Sequence, residues 1–297
     1  MPKKFAALPP KNNFLAIGRE FSSFDNSKIA ILPCPYEKTT SYGKGTAKGP
    51  EAILKASHYV EFFDEETCKE VCFSHGIAAI SPLSFGKLHG KKALDLIYKN
   101  VKSLIGAGKF VVTLGGEHSI STAAIKAHFD SYENLSILHF DAHSDLRDEY
   151  EGSKYSHASF AARVAEFTTK ITQVGIRAQC KEEFDFIKEK RINTFYAHQI
   201  RNEGFDGIVI EKIIDTLDKN VYVTFDVDYF DPSIMPSTGT PEPNGFYWHE
   251  TMKLLKKVCE RRNLVGFDVV ELAPRKNFTF PDFLTAKFIY KVLNYKF

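Results

Sequence analysis

The chain has 297 residues, of which 43% are hydrophobic and 26% charged, and carries a net charge of +2. That length can bury a sizeable core as one large α/β domain over residues 1–297, and the near-neutral balance excludes a dedicated nucleic-acid surface. No stretch approaches the roughly 18 consecutive apolar residues of a membrane span, the opening MPKKFAALPPKNNF has no apolar signal segment, and five scattered cysteines read as reduced thiols of a cytoplasmic protein.

Strand-like and helix-like segments alternate along the chain. Residues 28–33 read as an early strand, and Gly49-Pro50-Glu51 as a helix start with proline in the first turn. Cys68 and Cys72 have the spacing of one helix face. Residues 91–106 have helical periodicity, 109–114 form an apolar β-rich run, 119–129 are helical and 135–140 a strand. Helices near 158–166, 181–189, 208–218, 249–260 and 282–294 then interleave with strands near 171–176, 220–225 and 264–269. Short, nearly continuous apolar strands joined by helices imply a mostly parallel sheet covered on both faces. The Pro-, Gly-, Ser- and Thr-rich stretch from Asp231 to Phe246 is long for a connection and reads as a functional loop.

Open parallel sheets bind ligands at the carboxyl ends of their strands, and three of these ends carry candidate chemistry. Gly115-Gly116-Glu117-His118-Ser119 follows the first, with His118 at a helix start. Asp141-Ala142-His143-Ser144-Asp145 follows the second, with a potential ligand at every other position; in extended chain these side chains share one side. Asp226-Val227-Asp228 follows the third, while Asp231 before Pro232 reads as a turn residue. Packed carboxylates repel and are costly to desolvate, and a metal removes both problems. Four aspartates and two histidines are too many for a usual catalytic zinc. They suit a pair of hard or borderline ions such as Mn²⁺, roughly 3.5–4 Å apart.

At these residues the sequence resembles the arginase/agmatinase ureohydrolase family, closest to the agmatinase branch. The resemblance rests on SYGKGTAKGPEAI (41–53), GGEHS (115–119), HFDAHSDLRDEYEG (139–152), SHASF (156–160), TFDVDYFDPSIMPSTGTPEP (224–243) and GFDVVELAP (266–274). It implies a three-layer α/β/α arginase-like fold with a central parallel sheet, in a homo-oligomer that is a trimer or a hexamer. It implies two Mn²⁺ per subunit: His118 and Asp145 on the first, His143 and Asp228 on the second, Asp141 and Asp226 bridging. His157 matches the family's proton-shuttle histidine, Glu271 the carboxylate that grips the substrate guanidinium, and Thr240 a threonine of the substrate pocket. The expected reaction is hydrolysis of a guanidine C–N bond, releasing urea. Two cations lower the pKa of a shared water from about 16 towards neutrality; Glu271 orients the carbon through charge-assisted hydrogen bonds, and His157 supplies a proton to the departing amine.

The substrate expectation is a small cationic guanidine. Arginases receive the α-carboxylate on an Asn- and Ser-bearing loop, whereas Arg147-Asp148-Glu149-Tyr150-Glu151 brings three acids that repel a carboxylate. Gly175-Ile176-Arg177-Ala178-Gln179 stands where arginases place an aspartate for the α-amino group. Both point to agmatine, converted to putrescine, with aminopropylagmatine the close competitor. Two segments depart from the agmatinase pattern: Asn244-Gly245 replaces a pair of glycines, and residues 275–282 bring extra positive charge and two phenylalanines near Glu271. Competing readings are a non-catalytic metal-binding homologue and a single-zinc deacetylase on a related fold.

Overall fold

The computed structural model describes residues 5–297. Its centre is an eight-stranded sheet: β1 (Ile29–Cys34), β2 (Ile77–Ala79), β3 (Phe110–Gly115), β4 (Leu135–Phe140), β5 (Ile171–Ile176), β6 (Asn193–Tyr196), β7 (Asn220–Asp226) and β8 (Asn263–Val270). All neighbours pair in parallel, in the order β2-β1-β3-β8-β7-β4-β5-β6. The chain therefore leaves β3, skips two positions to lay down β4, β5 and β6, and returns to fill the gap with β7 and β8.

Helices α1 (Arg19–Ser22), α2 (Gly49–Ser57), α3 (Val71–Ser74), α4 (Lys91–Gly106), α5 (Ser121–Phe129), α6 (Phe160–Ala165), α7 (Lys181–Lys190), α8 (Ala197–Glu203), α9 (Gly207–Asp215), α10 (Trp248–Arg261) and α11 (Phe280–Lys296) complete the architecture. Successive strand side chains enter opposite layers. Ile29, Ile31, Val112 and Leu114 join the core packed by α2 and α8–α11, whereas Ala30, Leu32 and Val111 join the one packed by α4–α7. This is the expected α/β/α sandwich. Covering both faces is why β3 and β4 are buried along their whole length, and β7 after its first residue, without polar alternation.

Periodicity locates most elements to within a residue or two and misses the sheet's edges. Strand β2 has three residues, and β6 is half exposed, so neither forms an apolar run. Cys68 and Cys72 do not share a helix. Cys68 is exposed in a turn with φ +53°, and Cys72 is buried in α3.

The last helix is fastened by charge as well as packing. The Lys291 ammonium on α11 lies 2.7 Å from Asp64 and 2.8 Å from Glu66, and Tyr295 and Lys256 also donate to Glu66. Burial opposes ionisation of Asp64, but hydrogen bonds from Lys291 and Thr67 prevail and hold its pKa below the usual carboxylate range. Lys291→Met should cost about 3–5 kcal/mol, because it strands a buried carboxylate without its partner. Asp64 stabilises the fold above its unfolded pKa of about 4 and loses that contribution as pH falls through its lower folded value. In urea titrations the variant's deficit should therefore shrink on acidification below about pH 4.

Candidate metal centre

The order β3-β8-β7-β4 sets four carboxyl ends side by side, and the candidate residues emerge from these four ends. The turn after β3 is as tight as the glycine pair predicts: a Cβ on Gly116 would lie 1.8 Å from the Tyr36 carbonyl oxygen, so no side chain fits. His118 then opens the short helical turn His118–Ile120. Asp141 and His143 follow β4, Asp226 ends β7 with Asp228 in the turn Val227–Tyr229, and Glu271 follows β8.

The six predicted side chains converge on two adjoining groups. In one, His118 Nδ1 lies 3.0 Å from Asp141 Oδ2, 3.2 Å from Asp226 Oδ2 and 3.3 Å from Asp145 Oδ2. In the other, His143 Nδ1 lies 2.9 Å from Asp228 Oδ2 and 3.5 Å from Asp141 Oδ1. Asp141 thus presents one oxygen to each group. Asp226 turns Oδ2 to the first, while its Oδ1 accepts the Asp228 N–H at 2.8 Å. Simple alternation along extended chain is not how Asp145 arrives. Its backbone is left-handed, φ +52°, as is that of Glu271 at +65°. Such conformations cost about 1–3 kcal/mol each and persist where the surroundings enforce them.

These residues fit a pair of divalent cations on two grounds. The first is the tautomer of His118. Thr224 Oγ1 donates to Asp268 Oδ1 at 2.7 Å, so it accepts from His118 Nε2 at 2.9 Å. A neutral His118 then turns the Nδ1 lone pair on three carboxylate oxygens, none aligned as its hydrogen-bond partner; with no cation there, and against the opposing effect of burial, those carboxylates raise its pKa well above the ordinary value and draw a proton into the place a metal ion would take. Lone pairs converging without protons between them are the donor set of a cation. The second is the crowding itself. Burial, then the charges of Asp228 and Asp141, push Asp226 well above the ordinary carboxylate pKa, and burial with Asp141 takes Asp145 to about 6. Positive charge between them relieves both effects.

Three supporting residues carry no role in the sequence reading. His139, on β4, lies 2.8 Å from Asp141 Oδ2 and takes the Gln173 side-chain amide on its other nitrogen at 3.1 Å. It therefore donates to Asp141 and orients it. The same period-two rule that groups residues 141 and 143 would have picked it out two positions earlier. Asp268 is fully buried and orients His118 through Thr224; it sits inside an apolar strand run, the signal that could have exposed it. Glu117, fully buried beside His118, accepts from the backbone N–H groups of Lys38 and Thr39.

The two groups lie at the floor of a cleft of about 350 Å³ that His157, Thr240 and Glu271 also line, so all nine predicted site residues meet there or directly beneath it. Glu271 Oε1 accepts the His118 backbone N–H at 2.7 Å, and burial raises its pKa well above the usual range. His157 is half-buried; burial lowers its pKa, against the opposing charge of Glu117.

The mouth corrects part of the substrate argument. Asp148 is paired with Arg163 and Lys154, and together with Glu149 faces an adjoining recess, so the acidic run does not itself line the cleft. Arg147 and Tyr150 do, alongside the uncharged Ala178 and Gln179. Arg177 is a clamp: its guanidinium donates to the carbonyls of Asp228, Glu242 and Pro243 and pins the long loop. In that loop Asn244 adopts φ +66°, which asparagine tolerates, while a Cβ at Gly245 would lie 2.5 Å from the Asp231 nitrogen; only the first glycine of the pair is replaceable. Residues 275–282 leave the cleft alone and contribute to a separate recess beside α2.

Fold and site together define an α/β enzyme class with paired cation-holding groups at the carboxyl edge of a parallel sheet. The profile of the Arginase family matches residues 27–294. N(1)-aminopropylagmatine ureohydrolase of Synechocystis sp. is 36% identical over 99% of this chain and 96% of its own length. Agmatinase of Bacillus anthracis is 36% identical over 85% of this chain and 86% of its own. The crystal structure of agmatine ureohydrolase of Thermoplasma volcanium superposes with a TM-score of 0.85 at 27% identity, covering 96% of this chain and 94% of that one. The chain belongs to the Arginase family, a family of dinuclear metal enzymes, and is a ureohydrolase acting on an amidino group.

Thr224→Val should weaken metal binding by about 10–100-fold, the usual effect of losing a residue that orients a ligand. Equilibrium dialysis against Mn²⁺ reads this directly: unchanged affinity would remove Thr224 from the support of His118.

Proposed function

We propose that this ureohydrolase acts on a decarboxylated guanidine with a free terminal amine, N1-aminopropylagmatine first and agmatine second, using two Mn²⁺ held by His118, Asp141, His143, Asp145, Asp226 and Asp228. The observation that carries the reading is His118 Nδ1, a buried ring nitrogen within 3.3 Å of three buried carboxylates and aligned with none of them as a hydrogen-bond partner. When bound, a dinuclear cation pair supplies the Lewis acidity that makes water nucleophilic near neutral pH. The chain's own residues do the rest. Glu271, anchored on the His118 N–H through Oε1, keeps its second oxygen for the guanidinium N–H groups and turns the central carbon to the floor of the cleft. His157, with a pKa lowered by burial, passes a proton to the amine nitrogen as its bond to that carbon breaks. Thr240 lines the cleft on the side of the long loop. One water is consumed, and the products are urea and the amine.

The order of substrates departs from the sequence reading, which put agmatine ahead. Two observations support the longer molecule. Its relative from Synechocystis matches 99% of the chain, against 85% for the agmatinase. Beside the cleft, with Arg147 on the wall of both, lies a recess bearing Glu149 and Glu182, which suit additional ammonium groups, while its Glu166 is paired with Arg163. The uncharged Ala178 and Gln179 supply no carboxylate to pair with an α-ammonium group, which weighs against arginine. The same reading takes the chain as one catalytic domain acting in a cytoplasmic homo-oligomer. It fits the five free cysteines and the lack, among the described residues, of a helix able to cross a membrane.

Urea release with Mn²⁺ on N1-aminopropylagmatine, agmatine, guanidinobutyrate and arginine tests the proposal. The expected kcat/KM falls in that order, with arginine lowest; arginine as the best substrate would overturn it. Asp141→Ala should abolish turnover. His157→Ala should keep its metal and slow kcat by about a hundredfold or more, and near-normal turnover would deny its role.

A further inference from the structure

The conspicuous group that the reaction scheme leaves unused is Glu117. It is fully buried at the back of the cleft, next in sequence to His118, and it touches neither the metal groups nor the opening. Every acceptor position on its carboxylate is filled. Oε2 takes the N–H groups of Lys38 at 2.5 Å and Thr39 at 2.6 Å; Oε1 takes the hydroxyls of Thr39 at 2.8 Å and Ser119 at 2.6 Å. An ionised carboxylate has about four such positions and can only accept. The Thr39 hydroxyl proton is therefore committed to Glu117, and the Thr39 oxygen has only lone pairs left to offer.

Those lone pairs face His157. Thr39 Oγ1 accepts the His157 backbone N–H at 3.0 Å and lies 3.4 Å from the ring nitrogen Nδ1. Since Oγ1 cannot donate in that direction, a hydrogen bond there requires the proton on Nδ1; Ser156 Oγ, at 3.5 Å and already accepting the Ala158 N–H, is the more distant neighbour of that nitrogen. The opposite nitrogen, Nε2, is then the one that gains and loses a proton on the cleft side. From this we infer that Glu117 is a positioning residue: acting through Thr39, it fixes the tautomer of His157 and aims Nε2 at the substrate. The inference rests on the proton-transfer role proposed above for His157.

The relay is directional, and that separates it from mere packing. In Glu117→Gln, the amide oxygen can keep the two backbone N–H groups while the NH2 takes the place of Oε1 and donates to Thr39 and Ser119. The shape is retained, but the Thr39 hydroxyl is released to donate to His157 Nδ1, which selects the wrong tautomer. Thr39→Val removes the relay atom, and Thr39→Ser restores it.

The test uses the full-length Mn²⁺-loaded enzyme with N1-aminopropylagmatine and agmatine. Glu117→Gln and Thr39→Val should each lower kcat by about ten- to a hundredfold, a fraction of the general acid–base contribution. KM, bound manganese and the thermal midpoint should stay near those of the parent, and Thr39→Ser should recover most of the rate. In the His157→Ala background, Thr39→Val should have no further effect on kcat, since the group it positions is gone. Two outcomes overturn the inference alone: a slow His157→Ala beside a Thr39→Val with parental kcat, or the same fold-loss from Thr39→Val whether or not His157 is present. A His157→Ala enzyme with normal turnover overturns both this inference and the role of His157. If Glu117→Gln or Thr39→Val loses metal and thermal stability together, with no recovery in Thr39→Ser, Glu117 is a structural buttress and the tautomer assignment fails.

Discussion

Four aspartates sit within hydrogen-bond range of two histidines beneath a cleft at the carboxyl edge of the sheet, and one of those histidines turns Nδ1 towards three of them while Thr224 accepts from its other nitrogen. Buried carboxylates in such contact repel one another and have no water to screen them. The arrangement holds only if positive charge is supplied and if the surrounding chain prevents the side chains from turning away. Much of the remaining site can be understood as the second requirement. His139 and Gln173 hold Asp141, Asp268 and Thr224 hold His118, and backbone N–H groups engage Asp141, Asp226 and Asp228.

The same constraint accounts for the strained backbone. Asp145 and Glu271 lie in the left-handed region, where a residue other than glycine pays in conformational energy. Both side chains line the cleft, and both adjoin segments pinned elsewhere: the Asp145 carbonyl accepts from Ala161 on α6, and the Glu271 N–H donates to Gly116. Packing of the helical layers thus maintains local geometry that the loops alone would not keep. The rigidity extends to the mouth, where Gly43 donates to the Gly239 carbonyl and Arg177 gathers five carbonyls of residues 226–243.

Substrate choice belongs to a different layer of the molecule. The guanidine end is handled by residues on strand ends, whereas the far end of the substrate meets loops and helix termini: Arg147, Tyr150, Ala178 and Gln179 at the opening, and acidic side chains in the recess beyond. Glu183 shows how such positions serve two purposes. It lines the cleft while its carboxylate caps α7 and accepts the Leu146 N–H, so it is not free to bind a ligand with both oxygens. A charge count along the sequence cannot distinguish acids of this kind from Asp148, which is spent on Arg163 and Lys154.

The sequence by itself determined the alternation of strands and helices, the burial of the sheet on both faces, and the placement of His118, Asp141, His143, Asp145, Asp226 and Asp228 after strands, because hydrophobic period and strand-end chemistry are local. The family resemblance added His157, Thr240 and Glu271. Tertiary structure decided the rest. Only the return of the chain to lay β7 and β8 between β3 and β4 makes residues more than a hundred positions apart into neighbours. The edge strands were illegible because they are short or half exposed. The roles of His139, Asp268 and Glu117 were illegible because each is defined by a hydrogen-bond partner, and for Asp268 and Glu117 that partner comes from another part of the chain. A residue's type states what it can donate or accept; only the fold says to whom.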